Sequence, residues 1–310
     1  MQERIIWIDN LKVIGILAVI LGHIASPLGY IIYSWHMPLF FFLAGIFIKY
    51  ELSTKEFITN DYKRLIIPYF IFSAIALIVE TAKRVALNRD GLNYFHELEG
   101  IFLWMDHESL INTYGFVLWF LPALFFGRLF IFLLDKRIEY KLIQFIIILL
   151  LFYVSFNINL ILGLDNALNI LIYIFLGSLY YRFYQNDKRL FALAFIFLGL
   201  IFYYGIPSLD IASKSYENVF INVLFSLCVI FIFVFILRKI NYRSKFLNLW
   251  GANTMLLFII HPYTNNIAHV IVNKINFGDW YLKFFISLIL LQAALLIKKR
   301  FENIGIFKYV

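Results

Sequence analysis

The 310-residue chain is 63% apolar, 20% aromatic and only 15% charged, and its mean hydropathy is +0.83. An ordinary soluble domain is about 45–50% apolar and about a quarter charged, so this composition excludes a soluble enzyme and an intrinsically disordered chain. The formal net charge of +8 does not indicate a nucleic-acid partner, because Lys and Arg gather in the cytoplasmic loops of membrane proteins.

Apolar runs between polar breaks predict ten membrane-spanning helices, since one span needs about 20 mostly apolar residues. In chain order the predicted spans are 8–27, 31–49, 65–82, 115–134, 142–158, 166–183, 190–206, 216–237, 252–273 and 280–297. The sequence therefore predicts an all-α, polytopic transmembrane helical bundle that forms a single domain over residues 1–310.

The basic residues predict the direction of these spans. Of the 27 Lys and Arg residues, 19 fall in one alternating set of loops and termini and six in the other. The remaining two, Lys12 and Arg128, lie inside spans. Because basic loops face the cytoplasm, both termini are predicted to be cytoplasmic.

One long loop, at about 83–114, is predicted to be extracytoplasmic. It carries His96, Asp106 and His107, whose side chains are of the kinds that bind divalent metals. Their spacing matches no ligand pattern, so we predict a solvated loop and no metal.

The first span carries two ionisable residues on one face. Lys12 and His23 are eleven residues apart, which brings them to within about 20° around the helix and about 16 Å along it. Ionisable residues inside spans commonly mark a site or a pathway. The alternative is that Lys12 extends to the membrane interface and His23 hydrogen-bonds a neighbouring helix.

The second span adds another imidazole. The short turn at 25–30 forces the first two spans into an antiparallel hairpin, which predicts that His36 lies at a depth comparable to that of His23. Trp35 stands beside His36, and Pro38 loosens the backbone. Two imidazoles on apposed helices form a polar pocket that can supply a general base or acid.

Five segments together resemble a known family. They are Lys12 and His23 with ten residues between them, 35–45 (WHMPLFFFLAG), 63–69 (KRLIIPY), 119–124 (WFLPAL) and 251–262 (GANTMLLFIIHP). This pattern resembles acyltransferase family 3, the integral-membrane O-acyltransferases, and is most similar to its small fucose-acetylase-like branch without a soluble domain. Lys12 stands where an arginine is common in the family, and Ala44 replaces a frequent serine.

The resemblance implies an acetyl-CoA-dependent O-acyltransferase. Acetyl-CoA would be a co-substrate, and the acceptor would be a hydroxyl of a surface polysaccharide, its lipid-linked precursor or a related sugar. The expected partners are an acyl-CoA donor, a carbohydrate or glycolipid acceptor and the lipid bilayer, with no nucleic acid; a homo-oligomer is left open. The expected location is a bacterial plasma (inner) membrane.

The same resemblance implies roles for the polar residues. His23 would be the general base, or the transient acyl acceptor of a two-step reaction, and His36 would orient the acceptor or assist proton transfer. Lys12 and Arg64 would bind the phosphates of the donor. Arg128 would either bind phosphate or form a structural ion pair.

Two tryptophans and one asparagine complete the predicted site. Trp35 and Trp119 offer flat faces for a sugar ring. The oxyanion of a tetrahedral intermediate would be stabilised by Asn253 or by a backbone N–H near Pro38.

His261 has two interpretations. It precedes Pro262, which leaves a backbone carbonyl without its usual partner, and His261 can satisfy that carbonyl as a structural residue. Alternatively, it lines the substrate site.

A transporter or flippase of an amphiphilic carbohydrate is the alternative function. In that case Lys12, His23 and Arg128 would line the pathway, and acetyl-CoA would not be consumed.

Overall fold

The computed structural model describes residues 5–184, 188–240 and 242–301. Its α-helices, in chain order, are α1 (Ile6–Gly22), α2 (Gly29–Tyr33), α3 (His36–Ile46), α4 (Thr54–Asp61), α5 (Ile67–Ala86), α6 (Tyr94–Glu99), α7 (Phe120–Arg137), α8 (Lys141–Ser155), α9 (Leu164–Leu179), α10 (Lys188–Tyr204), α11 (Val219–Ile240), α12 (Lys245–Ala252), α13 (Thr254–Ile275) and α14 (Trp280–Arg300).

Short irregular elements join several of these helices. The π-helical turns are Tyr62–Ile66, Gly100–Trp104 and Tyr180–Tyr184, and the 3-10 turns are Tyr114–Trp119 and Ile161–Gly163. Within the described residues, the sheet content is two antiparallel two-residue strands, β1 (Leu209–Asp210) and β2 (Ser215–Tyr216), with Leu209 opposite Tyr216.

The all-α fold class is confirmed, and a helix overlaps every predicted span. Seven helical segments of the described chain are long and apolar enough to cross a membrane: Gly29–Ile46, Thr54–Ala86, Tyr114–Arg137, Ile161–Phe183, Val219–Ile240, Thr254–Ile275 and Trp280–Arg300. Three other helices in predicted spans, α1, α8 and α10, have only 15 to 17 residues. The number of ten spans and the cytoplasmic termini stay predictions.

The chain divides into two compact units. The first takes its described residues from Met1–Phe40, Tyr184–Ile211 and Ser215–Lys308, and the second from Phe41–Phe183 and Ala212–Lys214. The boundary after Phe40 falls inside α3.

In the first unit, α1 is the central helix. It contacts α2, α11, α12, α13 and α14. Its side chains Leu11, Ile16, Val19 and Ile20 are completely buried. From Val13 to Gly22 the helix is apolar all round, which suits this position because that part has no face that must meet water.

In the second unit, α9 packs against α7, α8 and the C-terminal half of α3. Two glycines let α3 and α9 approach closely. A Cβ on Gly45 would lie 1.9 Å from the Ile174 carbonyl oxygen, and one on Gly177 would lie 1.9 Å from that of Phe42. Small residues commonly allow such close helix contacts in membrane proteins, which explains the glycine that ends the segment 35–45.

The segment predicted as a solvated loop, 83–114, contains more regular structure than expected. α5 continues to Ala86, and α6 and a π-helical turn follow. Glu97 of α6 is buried and accepts a hydrogen bond from the Asn112 side chain at 3.0 Å. The side of the membrane on which this segment lies stays a prediction.

Candidate functional site

The C-terminal end of α1 presents the first imidazole of the candidate site. His23 follows the last helical residue, and Ala25 then takes a left-handed conformation with φ of 51°. The His23 ring is half-buried, and its Nδ1 lies 2.8 Å from the Val19 carbonyl oxygen.

Two further imidazoles surround this one. His36 begins α3, and His261 lies within α13. The centroid of the His23 ring lies 6.3 Å from that of His36 and 4.9 Å from that of His261. His36 is 1% and His261 0% exposed, so His23 is the accessible member of a three-histidine cluster.

Each ring of this cluster binds the backbone through Nδ1. The Nδ1 of His36 lies 2.8 Å from the Ile32 carbonyl oxygen, and that of His261 lies 2.5 Å from that of Phe258. A carbonyl oxygen can only accept, so Nδ1 must carry the proton in all three rings. In a neutral imidazole this leaves Nε2 as the basic nitrogen.

The bond made by His261 has a local cause. Pro262 has no N–H with which to reach the Phe258 carbonyl four residues earlier, and the Nδ1–H of His261 donates to that carbonyl instead. The Nε2 of His261 is buried and has no hydrogen-bond partner among the described residues. A buried polar atom without a partner is rare and requires an explanation, such as a bound ligand or a role in catalysis.

A buried polar chain fixes α1 against α13. Asn265 donates from Nδ2 to the Ile20 carbonyl oxygen at 3.1 Å, and Ser287 donates to Asn265 Oδ1 at 2.6 Å. The Thr264 hydroxyl lies 2.8 Å from that of Ser287. Because Ile24 N–H bonds to Leu21 rather than to Ile20, Asn265 satisfies a carbonyl that the end of α1 leaves open.

Tyr33 also belongs to the cluster, although its sequence context did not single it out. Its ring centroid lies 5.5 Å from that of His23 and 5.2 Å from that of His36. A usable signal was its spacing, because Tyr33 lies three residues before His36 and follows the short turn that brings the first two spans together.

The opposite end of α1 is basic. Lys12 Nζ lies 3.3 Å from Asp9 Oδ1, and Arg238 at the end of α11 stacks over the Trp7 ring at 5.8 Å. Lys298 near the end of α14 donates to the Asn253 side-chain oxygen at 2.6 Å. The N-terminal half of α1 thus contacts Arg238 directly, and it packs against Gly251, two residues before the Asn253 that binds Lys298.

Asn253 and Trp35 lie in the first unit but have partners of their own. The Asn253 amide donates to the Leu249 carbonyl at 2.7 Å at the end of α12, in addition to its bond with Lys298. The Trp35 ring is buried, and its centroid lies 5.2 Å from that of Phe233. Their substrate-binding roles stay predictions.

The other three predicted site residues lie in the second unit, and Arg128 is the most constrained of them. Its Nε donates to Asp61 Oδ2 at 2.7 Å and its Nη2 to Oδ1 at 3.4 Å. Its guanidinium also donates to the carbonyls of Ala44 at 2.5 Å and Phe47 at 3.4 Å. This is the structural ion pair, one of the two roles expected for Arg128; phosphate binding stays a prediction.

Arg64 and Trp119 complete the predicted set. Arg64 is exposed on the π-helical turn Tyr62–Ile66 and forms no hydrogen bond or ion pair with the described part of the chain. Trp119 is buried, with its ring centroid 6.2 Å from that of Phe41.

The geometry of the first unit suits proton transfer. A half-buried imidazole with its Nδ1–H held by a carbonyl can accept a proton at Nε2, and two buried rings lie beside it. A hydroxyl bound at the cluster would be activated as a nucleophile.

Comparison with known proteins identifies the family. The family model described as an acyltransferase domain matches residues 5–297, nearly the whole chain. No curated protein and no solved structure matches the chain. With its apolar helices, the chain belongs to acyltransferase family 3 and is a multi-pass membrane acyltransferase.

Proposed function

We propose that this protein transfers an acetyl group from cytoplasmic acetyl-CoA to a hydroxyl of a surface polysaccharide, its lipid-linked precursor or a related sugar. The membrane is proposed to be a bacterial plasma membrane. The observation that carries the proposal is the cluster of His23, His36 and His261, whose Nδ1 atoms are all bound to backbone carbonyls.

In the proposed reaction His23 is the general base. Its Nε2 takes the proton from the acceptor hydroxyl, and the oxygen forms a bond to the carbonyl carbon of the thioester. The tetrahedral intermediate then collapses as the C–S bond breaks. The departing CoA thiolate takes the proton from the His23 imidazolium, so the base is restored.

The cluster is chemically matched to a sugar. Because the Nδ1–H groups are occupied, neutral His36 and His261 offer acceptors at Nε2, and a polyol offers several O–H donors. In this proposal a neighbouring hydroxyl of the sugar donates to His261 Nε2, a buried atom with no hydrogen-bond partner among the described residues. His36 orients the hydroxyl that reacts.

The basic end of α1 is the proposed site for the donor phosphates. Lys12 lies eleven residues before His23, which is about 16 Å along the helix and about the reach of an extended pantetheine arm. Arg238 and Lys298 near this end add positive charge. In the second unit, exposed Arg64 stays a candidate for phosphate binding, and we assign Arg128 to its ion pair with Asp61.

The test uses purified protein in nanodiscs and follows acetyl-CoA binding together with release of the CoA thiol. We expect His23→Ala to bind acetyl-CoA normally and to lose turnover by about 10²–10⁴-fold, as for loss of a general base. Lys12→Ala should bind acetyl-CoA more weakly and turn over bound donor normally.

Matched controls lie on α13. His269 and Lys274 are exposed residues outside the cluster, so His269→Ala and Lys274→Ala should behave as wild type. Wild-type turnover in His23→Ala would show that His23 is not the general base. If the protein does not bind acetyl-CoA at millimolar concentration, acetyl-CoA is not the donor. Transport of a lipid-linked sugar would then be the function to test.

A further inference from the structure

Tyr33 is held in a fixed place between two histidines. It ends α2, and its half-buried ring contacts those of His23 and His36. A Cβ on Gly22 would lie 3.1 Å from Ile32 Cγ2 and 3.4 Å from the Tyr33 ring, so α2 packs closely against the end of α1. Beyond it, Ser226 of α11 donates to the Ser34 carbonyl at 2.6 Å and fixes the backbone between α2 and α3.

The histidines leave one requirement of acyl transfer unmet. Attack on a thioester places negative charge on its carbonyl oxygen, and that oxyanion needs a hydrogen-bond donor. The Nδ1–H groups of His23, His36 and His261 already donate to carbonyls. The cluster is therefore rich in acceptors and lacks a donor of its own.

Tyr33 can supply that donor. Its hydroxyl forms no hydrogen bond with the described residues, and a phenol keeps its proton through the neutral range. Of the two donors expected from the sequence, Asn253 already donates to the Leu249 carbonyl and accepts a hydrogen bond from Lys298, and a backbone N–H near Pro38 stays a prediction.

We propose that the Tyr33 hydroxyl donates a hydrogen bond to the oxyanion formed when the acceptor oxygen attacks the thioester. This inference rests on the proposed acyl transfer. The O–H bond of Tyr33 stays intact: it stabilises the charge while the C–O bond forms, and the charge disappears when the C–S bond breaks. The proton of the acceptor is transferred through His23, so Tyr33 ends the reaction in the protonation state in which it began.

Three variants test the hydroxyl separately from the ring. Tyr33→Phe keeps the ring and removes the O–H, and we expect kcat to fall about 10²-fold or more, as for loss of one oxyanion donor. The KM for acetyl-CoA and the melting temperature should stay at wild-type values. Tyr33→Leu should lose as much kcat. Tyr30→Phe is the matched control, because Tyr30 lies on the same helix and is 59% exposed.

The outcomes separate this inference from the proposed function. Wild-type kcat in Tyr33→Phe, with turnover lost in His23→Ala, overturns the role of Tyr33 and leaves the base in place. If kcat falls in Tyr33→Leu but not in Tyr33→Phe, the effect comes from ring packing, and the proposed role of the Tyr33 hydroxyl is overturned. A lowered melting temperature in Tyr33→Phe would overturn that role as well. Wild-type turnover in His23→Ala contradicts the proposed function itself.

Discussion

Two clusters, one in each unit, bury their polar groups in different ways. In the second unit, Arg128 and Asp61 form a two-point ion pair, and the remaining guanidinium donors bind the carbonyls of Ala44 and Phe47. In the first unit, each histidine of the cluster is held at Nδ1, and His261 Nε2 has no partner among the described residues.

The Arg128–Asp61 pair and the histidine cluster illustrate two uses of buried polar groups. A buried charge is tolerated when its partner and surrounding hydrogen bonds compensate for lost hydration, and a network satisfied in this way holds one arrangement of helices. A buried nitrogen without a partner gives up a hydrogen bond. Asp165 Oδ1 in the second unit is also buried without a hydrogen-bond partner among the described residues, so such an atom alone does not mark a site. The Nε2 of His261 belongs to a ring beside the half-buried imidazole of His23, and for that reason we expect substrate in the first unit.

The largest expected effect is on the ion pair. Arg128→Met leaves the Asp61 carboxylate and the carbonyls of Ala44 and Phe47 without their donor. Breaking a buried pair by removing one partner typically costs about 3–5 kcal/mol. We expect that loss in the free energy of unfolding, measured by chemical denaturation in detergent, together with reduced yield of folded protein.

The double variant Arg128→Met with Asp61→Leu is the control for this effect. It removes both charges, so it should recover much of the stability, because apolar replacement of a whole buried pair is often neutral. If Arg128→Met instead unfolds like wild type and loses only acetyl-CoA affinity, Arg128 binds donor phosphate and the contrast between the two units fails.

An intermediate effect is expected where Asn265 connects α13 to α1. Asn265→Leu leaves the Ile20 carbonyl and the Ser287 hydroxyl without their partner. Unsatisfied buried groups cost about 1–3 kcal/mol. Since Ile20 lies one turn before His23, we also expect kcat to fall about tenfold or more, with the KM for acetyl-CoA unchanged.

The neighbouring Asn266 provides the control, because it is exposed on the same helix. Asn266→Leu should keep wild-type stability and kcat. If Asn265→Leu lowers stability but keeps kcat, the hydrogen bond from Asn265 to the Ile20 carbonyl supports the fold without positioning His23.

Much of this arrangement could be predicted from the sequence because it depends on short separations. The turn at 25–30 predicts apposed helices with His36 at a depth comparable to that of His23, and the two rings lie 6.3 Å apart. The proline after His261 predicted a carbonyl in need of a donor. Both arguments use only helix geometry and the chemistry of neighbouring residues.

Other parts could not be predicted because their partners are distant in the chain. Asn265 bonds to a carbonyl 245 residues away, and Arg128 to a carboxylate 67 residues away. In a chain this apolar, periodicity does not indicate which face of a helix meets which neighbour. From the sequence alone Arg128 therefore has two equal interpretations, because no local pattern indicates that Asp61 lies beside it.

The smallest expected effect is at His261, and it tests the contrast most directly. His261→Asn keeps a side-chain N–H near the position of Nδ1, where it can still donate to the Phe258 carbonyl, and removes the Nε2 that has no partner in the described chain. Because the donor to the Phe258 carbonyl is kept, the free energy of unfolding should fall by less than in Arg128→Met. If a sugar hydroxyl donates to Nε2, loss of one hydrogen bond, worth about 0.5–1.5 kcal/mol, should raise the KM for the acceptor by about 2–12-fold with no change for acetyl-CoA.

His269→Asn on the same helix is the control and should change neither KM. A large loss of stability with an unchanged acceptor KM would mean that His261 serves the fold, as Arg128 does, and that the unpartnered nitrogen does not mark the acceptor site.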